Sequence, residues 1–288
     1  MSELYELFEE PQISSVPMVV ALEGWIDAGS AASGAMQTLL ELADTDIVAA
    51  FDTDQLLDHR ARRPIMTLED GYLADLAWPR IELRYGTDTA GNHALFLVGA
   101  EPDHGWNRFS SAVGDLIEDF DVSMVIGLGA YPAPVPHTRE TRLALTSPSR
   151  PLLDSFTGFF KGSVEVPAGI QAVIEAHAFS IGVSALGLWA QVPHYIAGMA
   201  YPQASVALID GLARVAPISF LHGSLTAAAL ETSARIDELI GDNEQHLAMV
   251  HQLEELVDSN QFDPDFGPLP SGDEIAAELQ RFLRDQQN

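Results

Sequence analysis

Two histidines follow the same dipeptide, in the Val-Pro-His sequences at residues 135–137 and 192–194. Each follows an apolar run of the kind that forms a buried strand. Proline fixes the backbone angle φ and has no N–H to donate, so it ends a strand and fixes the direction of the next residue. Histidines held in this way suit acid–base chemistry, because carboxylates nearby shift their pKa across neutral pH.

Acidic residues follow two further apolar runs, in EGWIDAG at residues 23–29 and in GAEPDHGW at residues 99–106. In parallel sheets, ligands bind beyond the carboxyl ends of the strands, where such loops converge. We therefore predict one shared rim that binds a ligand or a partner. In one hypothesis, a carboxylate orients a histidine while an arginine holds an anion. The candidate residues of the rim are Glu23, Asp27, Glu101, His137, Thr138, Arg139, His194 and Tyr195.

Structural roles explain the same residues and are favoured over catalysis. Asp27 is placed to cap a helix that begins near Ala28. Histidines in turns often bond to backbone carbonyl groups, and carboxylates at strand ends are often solvated. The loop LGAYPAPVPHTR, residues 128–139, is also rigid enough to form a contact surface for another protein.

Short apolar runs alternate with segments of helical spacing over the first 215 residues or so. This alternation predicts an α/β fold with a mostly parallel sheet covered by helices on both faces. Three other runs are more polar than these apolar runs, and we predict that they form strands towards the edges of the sheet. The predicted strands are 17–22, 93–100, 122–130 and 181–190, the edge strands are 46–52, 81–85 and 142–146, and the helices are 28–42, 106–120, 169–177 and 204–213.

The pattern changes near residue 223, so we predict an α/β domain over residues 1–222 and a C-terminal helical extension over 223–288. The extension begins with a helical hairpin that breaks at Gly241-Asp242 and has one apolar face. A Pro-rich linker at 262–270 follows. Ser271 and Glu274 then form a capping box for a last helix.

The charge of the chain restricts its partners. It has 42 acidic and 14 basic residues and a net charge of −28. Such a field repels phosphate backbones, so we expect neither nucleic acid nor anionic membrane as a partner. The acidic N-terminus does not resemble a signal peptide, and no apolar run reaches the length of a membrane span. We expect a cytoplasmic protein.

Stronger catalytic motifs are missing from the sequence. There is no cysteine, which excludes disulfides and thiolate chemistry. Gly127-Leu128-Gly129 lacks the third glycine of a dinucleotide-binding fingerprint, and the only lysine, Lys161, lies outside any P-loop pattern. No histidine pair has the spacing of a helical zinc site. We therefore expect no cofactor and no metal.

Four sequence blocks resemble the bacterial and archaeal branch of the proteasome assembly chaperone 2 family, with a helical tail of the actinobacterial type. The blocks are LEGWIDAGSAASGA, GLGAYPAPVPHTR, VPAGIQAVIEAHAFSIGVSALGLWAQVPHY and AGMAYPQASVALIDGL, and the resemblance covers about residues 16–215. It implies a fold similar to nucleoside phosphorylases and peptidyl-tRNA hydrolases, oligomers, and a chaperone ancestry. Relatives that engage proteasome rings tend to end in a hydrophobic-Tyr-any tripeptide, whereas this sequence ends in Gln-Gln-Asn.

Two classes of function remain open at this point. We favour a non-catalytic, homo-oligomeric assembly or interaction protein with a protein partner, proteasome-related by resemblance. The alternative is a small-molecule enzyme or binding protein of the nucleoside phosphorylase or hydrolase type, with its site at the C-terminal edge of the sheet. In that case Thr138, Arg139 and Glu101 are the closest candidates for holding phosphate and a nucleoside.

Overall fold

A mixed β-sheet forms the centre of the computed structural model, which describes residues 4–241 and 243–259. The strands are β1 Tyr5–Leu7, β2 Val16–Glu23, β3 Asp46–Phe51, β4 Ile65–Glu69, β5 Tyr72–Ala77, β6 Ile81–Thr87, β7 His93–Ala100, β8 Val122–Ala133, β9 Leu143–Thr146 and β10 Ser184–Pro193. The helices are α1 Ala31–Ala43, α2 Thr53–Leu56, α3 Trp106–Asp119, α4 Arg150–Ser155, α5 Ile170–Ser180, α6 Pro202–Val215, α7 Leu225–Gly241 and α8 Glu244–Asp258.

The centre of the sheet is parallel. Its strand order is β1-β3-β6-β7-β2-β8-β10-β9, and the four neighbours β7, β2, β8 and β10 run in the same direction. These strands are the most continuously apolar segments of the chain because both of their faces are buried. The predicted edge strands β3, β6 and β9 lie outside them, where β6 and β9 pair antiparallel with the centre. The predicted α/β fold is confirmed, with a sheet that is parallel at its centre and mixed at its margins.

Helices cover both faces of the sheet. Helices α1, α6, α7 and α8 pack on one face, around residues such as Val19, Ile126 and Leu188. Helices α3 and α5 pack on the other face, against the alternate residues Met18 and Val125. This division follows from the two-residue period of a strand, which sends neighbouring side chains to opposite faces.

The C-terminal helical hairpin is present and shares the core of the sheet. Ile236, Ile240 and Val250 are buried in the same cluster as α1 and α6, whereas Leu247 is exposed. The side chain of Asn243 begins α8 by accepting hydrogen bonds from two backbone N–H groups. The domain boundary near residue 222 stays a prediction. The linker at 262–270 and the last helix lie outside the described residues.

Strands β4 and β5 form a separate two-stranded sheet, residues 65–77, which we call the arm. Every residue of both strands is exposed. The arm was not predicted from the sequence, although its turn carries a hairpin signal. Asp70 and Gly71 have φ angles of 50° and 82°, and positive φ at both turn residues is what Asp-Gly favours in a tight hairpin.

None of the helices within the described ranges is long and apolar enough to cross a membrane.

Candidate functional site

The four loops of the predicted rim follow the four parallel strands at the centre of the sheet. Because β7, β2, β8 and β10 are neighbours and run in the same direction, their carboxyl ends meet at one edge. An isolated bridge between Asp27 and Ala130 joins the loop after β2 to β8 at this edge. The loops are neighbours, but their polar side chains make two separate sets of contacts.

His137 lies at the centre of the first set. Its ring is almost fully buried, with 2% of the side chain exposed. Its backbone N–H donates to the hydroxyl of Tyr195 over 2.8 Å, and the same hydroxyl lies 2.7 Å from the ring nitrogen Nδ1. The other ring nitrogen, Nε2, lies 3.0 Å from Oδ1 of Asp237 on α7. Because the carboxylate of Asp237 can only accept, Nε2–H donates to it, and in the neutral ring Nδ1 then accepts from the hydroxyl of Tyr195.

The next two residues of this loop contact α8. The hydroxyl of Thr138 donates to Glu254, which also accepts from Arg139 over 3.2 Å. The guanidinium of Arg139 donates two hydrogen bonds to Asp258, of 2.9 Å and 2.7 Å. This paired geometry is the strongest form of an arginine–carboxylate contact. The three loop residues thus fasten α7 and α8 to the edge of the sheet.

The pKa values of these groups shift in the directions that the contacts require. The hydrogen bond from Thr138 lowers the pKa of Glu254, and the hydrogen bond from Arg139 lowers the pKa of Asp258. Burial raises the pKa of Tyr195, so its hydroxyl keeps its proton. The shifts thus favour the ionised carboxylates of Glu254 and Asp258 and the protonated hydroxyl of Tyr195, which are the forms that make these hydrogen bonds.

Asp27 and Glu101 make a second set of contacts, with the beginnings of two helices. The carboxylate of Asp27 accepts from the backbone N–H groups of Ala32 and Ser33 in the first turn of α1, over 2.7 Å and 3.0 Å. Glu101 is 8% exposed and accepts from the N–H of Ile170, the first residue of α5, over 2.7 Å. Both carboxylates satisfy N–H groups that have no partner within the helix.

The remaining two rim residues are exposed. The side chain of Glu23 faces solvent, while its carbonyl oxygen accepts from Glu101 N over 2.6 Å and from Arg62 over 3.2 Å. His194 is also exposed, with its ring edge-on to Tyr195 at 5.4 Å between centroids. His137 therefore has Tyr195 and Asp237 as its partners, rather than the carboxylates of Glu23 or Glu101.

The partners of the His137 loop were not predicted from the sequence. Asp237, Glu254 and Asp258 lie 100 or more residues further along the chain. On amphipathic helices such carboxylates resemble an ordinary solvated face, so no local pattern identifies them. Within residues 4–241 and 243–259, no group of three or more histidine, aspartate or glutamate residues could hold a metal ion.

Replacing His137 with alanine is expected to loosen the C-terminal helices. The change removes both ring contacts and opens a buried gap, which costs about 2–3 kcal/mol of unfolding free energy. Hydrogen–deuterium exchange should show faster exchange in α7, and chemical denaturation should show the lower stability. The matched control is His194→Ala, because that ring is exposed and makes no hydrogen bond with the described residues. Equal protection of α7 in both variants would contradict a fastening role for His137.

Comparison with known proteins gives one family. The model of the PAC2 family matches residues 21–240 of the chain. No curated protein matches the sequence significantly.

Solved structures similar to this chain extend over nearly all of it. A Mycobacterium tuberculosis protein of unknown function is 35% identical, with a TM-score of 0.82, over 90% of this chain and 92% of that one. A Corynebacterium glutamicum protein of unknown function is 29% identical, with a TM-score of 0.84, over 90% and 98%. A proteasome-assembly chaperone homologue from Mycobacterium tuberculosis is 28% identical, with a TM-score of 0.75, over 82% and 100%.

Proposed function

Because this chain belongs to the PAC2 family, as its sequence blocks predict, we propose that it is a homo-oligomeric protein that binds other polypeptides and catalyses no reaction. The partner class that we propose is a protein undergoing assembly. One of its structural relatives is a proteasome-assembly chaperone homologue, which makes a proteasome subunit the first partner to test.

The arm is the observation that carries this proposal. Of its five cross-strand pairs, three are apolar: Ile65 with Ala77, Met66 with Leu76, and Leu68 with Leu73. The exposed fractions of these large side chains reach 73% at Ile65 and 55% at Met66. A two-stranded hairpin is marginally stable on its own in water. Large apolar side chains exposed together on one short element are typical of an interaction site. A contact with a polypeptide would bury the apolar pairs and support the hairpin.

The charges around the arm favour a second copy of the chain as one such contact. Arg60 and Arg63 lie just before the arm, while Arg62 between them already pairs with Asp103 over 3.4 Å. Glu69 and Asp70 lie at the tip of the arm. The chain as a whole is strongly acidic, so a basic segment is attracted to the surface of another copy. Trp78, at the end of the arm, is 47% exposed and packs edge-on against His59. Aromatic and arginine side chains often dominate the energy of an interface.

The contacts at the edge of the sheet support a non-catalytic role. Thr138 and Arg139, the residues that would hold phosphate in the enzyme alternative, bond to Glu254 and Asp258. Glu101 bonds to the first N–H of α5. In this arrangement the polar groups of the rim serve to hold helices in place.

The proposal is tested on the purified full-length chain by light scattering coupled to size-exclusion chromatography and by native gel electrophoresis with proteasome α subunits of the source organism. We expect a defined oligomer that forms a complex with the subunits. A monomer without complex formation would contradict the proposal. A turnover assay with nucleosides and phosphate addresses the enzyme alternative, and measurable turnover would replace the proposed function with it.

A further inference from the structure

Three glycines leave part of the sheet beneath α5 without side chains of its own. Gly127 of β8 and Gly187 of β10 are paired in register, and Gly129 lies two residues further along β8. Alternate residues of a strand point to the same face, so these glycines share the face of Val125 and Ala185, which belong to the core under α3 and α5. Side chains from neighbouring elements can therefore approach the backbone of the sheet here.

The side chains that fill this bare region are polar or aromatic. The ring of Trp189 lies against Gly129. A Cβ atom on Gly187 would collide with the hydroxyl of Thr146 and would lie 2.6 Å from Trp189 Nε1 and 2.9 Å from Glu175 Oε1. Glycine at position 187 thus lets three polar atoms pack together against the backbone of the sheet, and a larger residue would displace them. We call Glu175, Trp189 and Thr146 the Glu175 site.

The carboxyl group of Glu175 is buried without a positive partner. Its residue is 5% exposed, and its one hydrogen bond among the described residues comes from Gln171 over 3.1 Å. No positively charged group lowers the pKa of Glu175, and the one contact that lowers it is the hydrogen bond with Gln171. Burial accordingly raises the pKa of Glu175 to about 7. A buried carboxyl group without a counter-charge is costly, and such groups are enriched at functional sites.

The surroundings of Glu175 suit an organic cation. The half-buried indole of Trp189 donates its N–H to Thr146 over 3.0 Å, and Thr146 itself is exposed at the edge strand. Phe179, four residues after Glu175 on the same flank of α5, is 47% exposed. Aromatic rings attract cations to their faces. A carboxylate beside an indole ring and a hydroxyl group has the chemistry that recognises an amine or a guanidine.

We propose that the Glu175 site binds an alkylammonium or guanidinium group. The carboxylate of Glu175 supplies the counter-charge, the ring of Trp189 lines the site, and the hydroxyl of Thr146 accepts a hydrogen bond at its solvent side. The net charge of −28 raises the local concentration of cations around the molecule. The cation comes either from a free polyamine or from a lysine or arginine side chain of another protein.

The test is an NMR titration of the full-length chain at pH 8, where Glu175 is mostly ionised. The probe is n-butylammonium, and 1-butanol is the neutral ligand of matched carbon chain. We expect the indole N–H signal of Trp189, assigned with Trp189→Phe, to shift saturably with the cation and at least about tenfold more weakly with the alcohol. Spermidine and N-acetyl-arginine amide distinguish a free polyamine from a protein side chain by their relative affinities.

Two glutamate variants separate the site from the surface charge. Glu175→Gln should weaken the binding of n-butylammonium at least about tenfold, while Glu118→Gln, at an exposed position of α3, should leave it unchanged. The glutamine keeps the contact with Gln171, so the variant should fold. Equal affinities for the cation and the alcohol, no saturable shift, or an unchanged affinity in Glu175→Gln would overturn the proposal.

Discussion

Placing aspartate at Met66 and Leu76 together is expected to separate the proposed oligomer into monomers. These side chains form a cross-strand pair on the arm and are 55% and 38% exposed in the single chain. In an interface they would be buried, and two unpaired carboxylates there would oppose association. We expect self-association to weaken at least about 100-fold, or about 3 kcal/mol, as measured by sedimentation equilibrium.

The control for this variant lies on the same arm. Thr67 pairs with Asp75, so Thr67→Asn changes a pair that is already polar without placing a second negative charge opposite Asp75. Its dissociation constant should stay within about threefold of the natural value, since changes on the polar rim of an interface have small effects. The unfolding of the separated monomer should also match the parent, because the arm is exposed on both strands. Self-association that survives the double substitution would place the interface elsewhere.

Replacing Glu175 with glutamine is expected to stabilise the protein above neutral pH. The pKa of Glu175 rises from an ordinary 4.5 to about 7 because the group is buried. Below pH 4.5 the carboxyl group is neutral in both the folded and the unfolded chain and costs nothing. As the pH rises towards and through 7, the unfolded chain loses this proton more readily than the folded one, so stability falls. By pH 8 the loss amounts to about 3 kcal/mol.

Glutamine is neutral at every pH and keeps the hydrogen bond with Gln171, so Glu175→Gln should recover this loss. Urea denaturation should show nearly equal stability of the two proteins at pH 4.5 and a gap of about 3 kcal/mol in favour of the variant at pH 8. The exposed Glu118→Gln substitution should produce no such gap. A gap that is the same at both pH values would mean that packing, rather than ionisation, separates the two proteins.

The sequence was sufficient for the four central strands and for the edge strands β3, β6 and β9, and insufficient for the arm. Strands β2, β7 and β8 were predicted to within a few residues because a strand buried on both faces must be apolar throughout. Strand β10 begins at Ser184 rather than at residue 181, because α5 continues to Ser180 and Gly182 then turns the chain with a φ of 88°. The arm was missed because neither strand is buried, which leaves only its Asp-Gly turn as a signal.

The candidate site shows the same limit. The loops after parallel strands lie at one edge of the sheet, so it could be predicted from the sequence that the four loops of the rim are neighbours. The partner of each side chain could not, because Asp237 and Asp258 reach the His137 loop through the packing of α7 and α8. The Glu175 site was equally hidden, since it depends on the register that places Gly187 beside Gly127. Long-range pairing of this kind leaves no periodic pattern in the sequence.

The most direct test of the proposed self-association is site-specific photo-cross-linking from the arm. Leu73, 49% exposed and paired with Leu68, is replaced by p-benzoylphenylalanine in the full-length chain, which is then irradiated as a purified protein. We expect a covalent product of two chains, with the arm of one copy joined to a single region of the other, that disappears when Met66 and Leu76 are also aspartate. Irradiation that gives only uncross-linked chains would contradict the account.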